Sequence, residues 1–488
     1  MQCVLYDRLL ERVSPSEVMV SCLNKHNEAD MKKRLPEGST VRTYDSLAYR
    51  IMASHLRVQG RGWKFNGSKT KRLVEYYGKQ VWSSANGIYS INQINDLEAL
   101  EKLYNFCLNT LTPPDNWVQV KAMATLYGLD LPPERFTSEG LKSLLKYSVE
   151  GIGSNKKYAL KEEFTFEELR WFVYYYGLEP STVPTYLLTD EAQDRNAAQD
   201  HLVQLFSRGG QECAVGDPRQ QLYMFMGANP EQWRSLVDGS VGGVYHSPVT
   251  YRCSRAVVEY AQHYEPKIEA ASHAVEGRLL FENEDYMYSN LKPGDFVLCM
   301  TNAKAITVAL QYMLKTGKPM LVIGRDVGKM LNTLVQTIVS TFKPKWEGLD
   351  GAIEDWRKNS LNFLLARNTG SDSQIQSIED RASSLLILYR NATLLGVNNL
   401  VDFCKYVEGF YGEREDSADI PLASTVWKAK GLQAETVYIP KKELDARRFK
   451  KAWEATQFHN ACYVAVTRAQ HTLVIVSDFD KVEHELEF

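Results

Sequence analysis

Residues 185–196 read TYLLTDEAQDRN, a short apolar run that stops at two consecutive carboxylates, Asp190 and Glu191. Such a run is the pattern of a buried strand, and α/β sheets hold their ligands at the carboxyl ends of strands. There, one carboxylate can hold Mg2+ and the other can orient an attacking water. Acidic strand ends also occur in solvated turns, so the pair alone does not choose between the two readings. A second stretch, AVGDPRQQLYMFMGA at 214–228, again ends an apolar run in an acid, then offers the amide Gln220 and the aromatic pair Tyr223 and Phe225. An amide near phosphate and an aromatic near a base suit a protein that couples nucleotide state to a stacked single strand.

Outward from these stretches, the chain alternates strand and helix patterns. EVMVSCL followed by NKHNEADMKKRL predicts a strand then a helix, and STVRTYDSLAYRIM repeats the order. Residues 55–180 turn to amphipathic helices rich in Tyr, Leu and charge, the composition of a helical insertion. Strand patterns return in PTYLLTD, QECAVGD and GGVYHSPVTYR, completing one parallel sheet with the two earlier strands. A second series runs through DFVLCMTN, PMLVIGRD, ADIPLASTV, AETVYIP and HTLVIVSD, interrupted by a helical, polar stretch. The expected architecture is α/β: two parallel-sheet domains in tandem, each with a helical insertion. The first domain is 1–54 with 181–250, its insertion 55–180, the second domain 251–334 with 419–488, and its insertion 335–418.

A chain of 488 residues exceeds what one hydrophobic core serves, in keeping with two domains. The formal charge of −3 gives no global attraction for a polyanion, so nucleic-acid contacts must come from local grooves. Eight cysteines are scattered without a CxxC pair or zinc spacing, as expected of buried thiols in a reducing cytosol. No apolar run approaches the roughly 18 residues of a membrane span. The N-terminus MQCVLYDRLLERV is charged and amphipathic rather than a signal peptide. These features predict a soluble protein without membrane contact in the cytoplasm, that of the host for a phage-encoded chain, with a nuclear location left open.

In order, DEAQD, GDPxQQxYxFxGA, TYRC, KAKGL and YVAVTRA resemble the motifs of the UvrD/Rep family of superfamily 1 DNA helicases. The doubled Gln220–Gln221 and TNA…GRDVG are most similar to its F-box-helicase and phage-helicase branch. The resemblance runs from Asn24 to Arg468 and implies two RecA-like domains, ATP and Mg2+ as cofactors, and single-stranded or single-strand-tailed DNA as partner. It implies that Asp190 holds Mg2+, Glu191 polarises the hydrolytic water, and Gln220 senses the γ-phosphate. Arg252 and Arg468 would neutralise charge during phosphoryl transfer, closing a cleft if they fall in different domains. Gly431 and Gln433 would lie at the nucleotide. The strand contacts would be Asn24, Lys25, Thr43, Tyr44, Tyr223, Phe225, Thr425, Trp427 and Lys428, although an aromatic such as Tyr223 also serves as core packing.

Several positions depart from the family. Met226 and Met300 stand where Arg is usual, Trp427 where His is common, Gln433 where Glu meets the nucleotide sugar, and Cys22–Leu23 where an aromatic is frequent. Trp427 could stack a base or pack against its neighbours. The largest departure is the glycine-rich phosphate loop, G-x-x-x-x-G-K-[ST], which is nowhere complete. GWKFNGSKT at 62–70 has one residue too many before Lys69 and follows the Asn24–Lys25 pair, reading as a basic surface turn. KTGKPM has Pro319 where the hydroxyl belongs and reads as a turn. Family spacing puts the loop lysine about two dozen residues before Asn24, at or just ahead of Met1. QCVLYDRLLERV then resembles the helix after that loop, with Val4, Leu5 and Leu9 on its apolar side. A shortened product, a misassigned start or a split gene with an upstream polypeptide would each give this.

The expected activity is an ATP-dependent 3′-to-5′ helicase and translocase that needs this missing segment. The alternative is a non-hydrolysing DNA-binding or scaffold protein descended from a helicase.

Overall fold

The computed structural model describes residues 2–57, 63–82, 90–367, 372–413, 420–445, 449 and 452–477. The chain divides into two compact units, Met1–Val244 and Tyr245–Phe488. Each is built on a RecA-like parallel sheet with many helices.

The first unit holds β1 (Val18–Cys22), β2 (Thr40–Thr43), β3 (Tyr186–Thr189) and β4 (Gln211–Ala214), all parallel in the order β2-β1-β3-β4. All of β1 and three residues of β3 are buried, because helices cover both faces of such a sheet and leave no polar side. From β1 the chain turns one way to β2, whereas β3 lies on the other side. The carboxyl ends of β1 and β3 therefore flank a topological switch point, where such sheets open a crevice. Pairing of Ser21 with Thr189 and of Thr189 with Ala214 brings the ends of β1, β3 and β4 level.

Six long helices, from Tyr44–Leu56 to Phe166–Tyr175, lie between β2 and β3. They share a core of Leu47, Leu100, Leu103, Leu144, Trp171 and Phe172. Lys69 opens one of them, Lys69–Trp82, and is fully buried rather than on the expected surface turn. Its Nζ donates to Glu168 Oε2 at 2.9 Å, Glu163 O at 3.0 Å and Ser148 O at 3.2 Å. With all three donors engaged, this ammonium is a structural anchor. The other glycine–lysine pair is a helix end: Gly317 caps Asn302–Thr316 with φ 68°.

Two expectations for this unit need correction. In the N-terminal helix Gln2–Leu10, Val4 is 65% exposed and Tyr6 is the buried anchor, beside Val18, Val20 and Val41. The stretch 242–252 adds no strand to the first sheet. Val244 and Tyr245 are exposed, Pro248 has no N–H to donate, and Val249–Thr250 pairs only with Glu269–Ala270.

The second unit holds β5 (Arg278–Asn283), β6 (Phe296–Cys299), β7 (Leu321–Ile323), β8 (Tyr411–Gly412), β9 (Leu422–Thr425), β10 (Ala434–Pro440) and β11 (Ala469–Ser477). They form one parallel sheet in the order β8-β7-β9-β6-β10-β11-β5. Both edge strands were absent from the sequence reading. The edge strand β5 is half exposed, with Phe281 at 65%, so it lacks the apolar run that marks the central strands. Helices from Arg325–Phe342 to Leu400–Gly409 share a core that includes Val335, Ile353, Leu385 and Phe403, and of these the helix Asp372–Leu394 packs on Asn302–Thr316.

Five of the described cysteines are buried and two half-buried, all as free thiols. Among the described residues no helix is long and apolar enough to cross a membrane.

Candidate functional site

The carboxylates lie where β3 leaves the sheet. Asp190 N donates to Ser21 O at 3.2 Å, tying the strand end across to β1. Glu191 then adopts a left-handed conformation, φ 51° and ψ 39°, opening the short 3-10 turn Ala192–Asp194. Such a backbone costs a non-glycine residue about 1–2 kcal/mol and persists where its surroundings fix it. Here they do: Ala192 N donates to Val215 O at 3.0 Å and Val215 N to Thr189 O at 2.8 Å. Both Asp190 and Glu191 remain partly exposed at the edge of the crevice.

Gln193, 1% exposed, joins this turn to the loop after β4. Its Nε2 donates to Glu191 Oε2 at 2.6 Å and to Asp194 Oδ2 at 3.0 Å. Its Oε1 accepts from Asp217 N at 3.0 Å. Asp217 in turn accepts at 2.8 Å from Gln220 Nε2. Glu191 and Gln220 are thus joined through one hydrogen-bonded network, with Asp190 next to Glu191 at the end of β3. Behind it, Arg195 is buried between Glu212 at 2.6 Å and Asp200 at 2.8 Å, closing the back of the turn. Neither Gln193 nor Arg195 is marked by the sequence, because polar residues commonly follow an acid pair.

The candidate strand contacts are dispersed. Asn24 is exposed and caps the helix Lys25–Arg34, accepting from Asn27 N at 2.9 Å, and Lys25 is exposed beside it. Thr43 is buried and caps Tyr44–Leu56 through Ser46 N at 3.2 Å. Tyr44 is fully buried in the core, so its ring has no face for a base, a correction that follows from its place on the apolar side of its helix. Tyr223 is half-buried, and burial raises its phenol, with Asp194 and Glu191 adding to the effect. The Phe225 side chain lies outside the described part of the structure.

In the second unit, Arg252, Gln433 and Arg468 meet around one turn. Gly431, at φ 85°, takes a conformation that favours glycine and lets the chain enter β10 from the short helix Val426–Ala429. Arg252 Nε then donates to Gln433 Oε1 at 2.8 Å and its Nη1 to Thr467 O at 3.4 Å. Arg468 is 1% exposed and donates to Val464 O at 3.0 Å and Leu432 O at 3.3 Å. Arg252 and Arg468 belong to the same unit, so the condition under which these two would close a cleft between domains is not met. Thr425 is buried, Trp427 is half-buried, and Lys428 pairs with Asp326 at 2.5 Å. Met300 is buried at the end of β6, its N–H donating to the Glu443 carboxylate.

Met226 lines a concave pocket of about 320 Å³ with Glu98, Glu101, Lys102, Asn105 and Asn109 of the helix Ile91–Asn109. Burial, opposed by Lys71 and reinforced by Glu98 and Glu75, pushes the Glu101 carboxyl up from 4.5 to about 7. The folded chain therefore keeps this proton longer than the unfolded chain does. The resulting stability is fully present below pH 4.5 and is lost as pH rises through about 7. Glu101→Gln is expected to melt higher than the parent at pH 8, by the equivalent of roughly 2–3 kcal/mol, and level with it at pH 4. Paired thermal melts at the two pH values check this.

Each of the two units carries a RecA-like parallel sheet, and the first has an acid pair at its switch point. The UvrD/REP helicase N-terminal domain family matches residues 182–238, which include both motifs of the first site. The UvrD-like helicase C-terminal domain family matches residues 422–476, which include Gln433 and Arg468. The chain is also 23% identical over 302 residues to the Gabija protein GajB of Bacillus cereus (strain VD045), covering 56% of this chain and 59% of that protein. It therefore spans less than two thirds of that relative's length. Both matched segments are similar to UvrD/Rep-like superfamily 1 helicase domains.

Proposed function

We propose that this chain is the motor of an ATP-dependent translocase and helicase acting on single-stranded or single-strand-tailed DNA with 3′-to-5′ polarity. The observation that carries the proposal is the network at the ends of β3 and β4 in which Gln193 and Asp217 link Glu191 to Gln220, with Asp190 next to Glu191 in the chain. The donor set suits a magnesium nucleotide: Mg2+ is held by one or two carboxylates, with phosphate and water completing its shell. When bound, the magnesium nucleotide supplies the phosphoanhydride whose cleavage drives movement.

In this reading Asp190 holds the ion, Glu191 orients and polarises water, and Gln220 reports the γ-phosphate. Arg252 and Arg468 supply positive charge, with Gly431 and Gln433 shaping the nucleotide side of the second unit. In the structure Arg252 bonds Gln433 and Thr467, and Arg468 bonds Val464 and Leu432, which fixes the orientation of both guanidiniums. Asn24, Lys25, Thr43, Tyr223 and Phe225 are the strand contacts proposed for the first unit, and Thr425, Trp427 and Lys428 those proposed for the second. Lys69, in the glycine–lysine stretch GWKFNGSKT, is held by Glu168 and is not offered to a phosphate.

Binding and strand-separation assays on tailed duplexes test the proposal. The expected results are salt-sensitive binding to single strands and ATP-dependent separation of 3′-tailed, but not 5′-tailed, duplexes once a polypeptide carrying the glycine-rich phosphate loop is supplied. Binding without ATP-dependent separation would favour the scaffold alternative, which the burial of Met300 at an expected arginine position supports.

A further inference from the structure

We infer that Gln193 is a positioning residue that makes the water-orienting and phosphate-sensing groups one mechanical unit; the inference rests on the proposed hydrolytic reading of this site. A continuous path runs Glu191 Oε2 to Gln193 Nε2 (2.6 Å), Gln193 Oε1 to Asp217 N (3.0 Å), and Asp217 Oδ2 to Gln220 Nε2 (2.8 Å). A primary amide suits its centre, because it donates to a carboxylate on one side and accepts from a backbone N–H on the other.

Further bonds tie the two loops together around Gln193. Gln221, 4% exposed, donates its Nε2 to Gln193 O at 2.5 Å, and Asp194 Oδ1 accepts from Leu222 N at 3.3 Å. The doubled glutamine is thereby divided: Gln220 reaches toward the crevice side, while Gln221 fastens the two loops together. Gly216 leaves the room required. A Cβ there would stand 2.5 Å from Gln193 Oε1 and 2.7 Å from the Trp233 ring. The amide therefore sits in a slot that admits one orientation, and a shift of the loop after β4 is transmitted to Glu191. In a reaction whose rate depends on placing water and phosphate together, such a link sets turnover more than affinity.

The test compares Gln193→Leu and Gln193→Glu with the parent chain, supplied with the phosphate-loop polypeptide where turnover requires it. Gln193→Leu removes both ends of the link with little change in volume. It is expected to speed amide exchange across residues 215–222 and to lower ATP turnover about 10–100-fold, with the KM for ATP and single-strand affinity held within about threefold. In Gln193→Glu the new carboxyl faces Glu191 and Asp194. It cannot donate when ionised but can when protonated, so turnover should recover as pH falls, a limb absent from the parent and from Gln193→Leu.

Unchanged exchange across 215–222 in Gln193→Leu would overturn the inference, as would parental turnover in both variants or a Gln193→Glu profile parallel to the parent's. A loss confined to KM would also overturn it. If the parent itself hydrolyses no ATP in any preparation, the hydrolytic reading fails on its own, and the exchange measurement still decides whether Gln193 links the two loops.

Discussion

Replacing Glu191 with Gln is expected to lower DNA-stimulated ATP turnover by about 10²–10⁴-fold, the range for losing a group that handles a proton in the transition state. The substitution keeps the length and shape of the side chain and removes only its charge. An oxygen remains to accept from Gln193 Nε2, now 2.6 Å from Glu191 Oε2. The left-handed turn is also retained, because its restraints are the backbone bonds of Ala192 and Val215. Melting temperature and single-strand affinity should therefore stay near parental values while turnover collapses. Steady-state hydrolysis, measured beside anisotropy with a labelled oligonucleotide, separates the two effects. Parental turnover in Glu191→Gln would remove Glu191 from the reaction.

The second large effect is on stability. Lys69→Met is expected to lower stability by about 3–5 kcal/mol, because removing one member of a buried pair strands the other. Lys69 and Glu168 are both fully buried, and the Glu168 carboxylate also accepts from Thr165 N at 2.9 Å and from Ser148. Without the ammonium, that carboxylate must either stay charged in an apolar core or take up a proton. For a unit of this size the loss corresponds to a fall in melting temperature of roughly 10 °C. Adding Glu168→Gln should recover part of it by removing the stranded charge. A phosphate-binding lysine would behave in the opposite way, its loss weakening nucleotide binding without lowering the melting temperature.

Much of the fold could be read from the chain because its central strands are short, continuous apolar runs. VMVSC, YLLT, FVLC and LAST carry enough buried surface to declare themselves locally. The edge strand RLLFEN does not, since pairing on one side only lets it keep charged and exposed residues. GGVYHSPVTYR misled for the converse reason: it has the residues of a strand, but its Val244 and Tyr245 face solvent and Pro248 interrupts the ladder.

At the site, the acids and the sensing amide could be found because the chemistry requires particular side chains at fixed offsets. Gln193 could not, because its importance lies in bonds to residues up to 28 positions away, and many polar residues follow an acid pair. Tyr44 shows the opposite limit. Sequence order places it beside Thr43 at a strand end, but the helical period turns its ring into the core.

ATP hydrolysis with and without single-stranded DNA, measured for the 488-residue chain alone and again with a polypeptide carrying the glycine-rich phosphate loop, tests the central claim most directly. The account predicts feeble turnover from the chain alone and strong, DNA-stimulated turnover when the loop is supplied, lost again in Glu191→Gln. Absence of any gain on supplying the loop, or full DNA-stimulated turnover without it, would contradict the account.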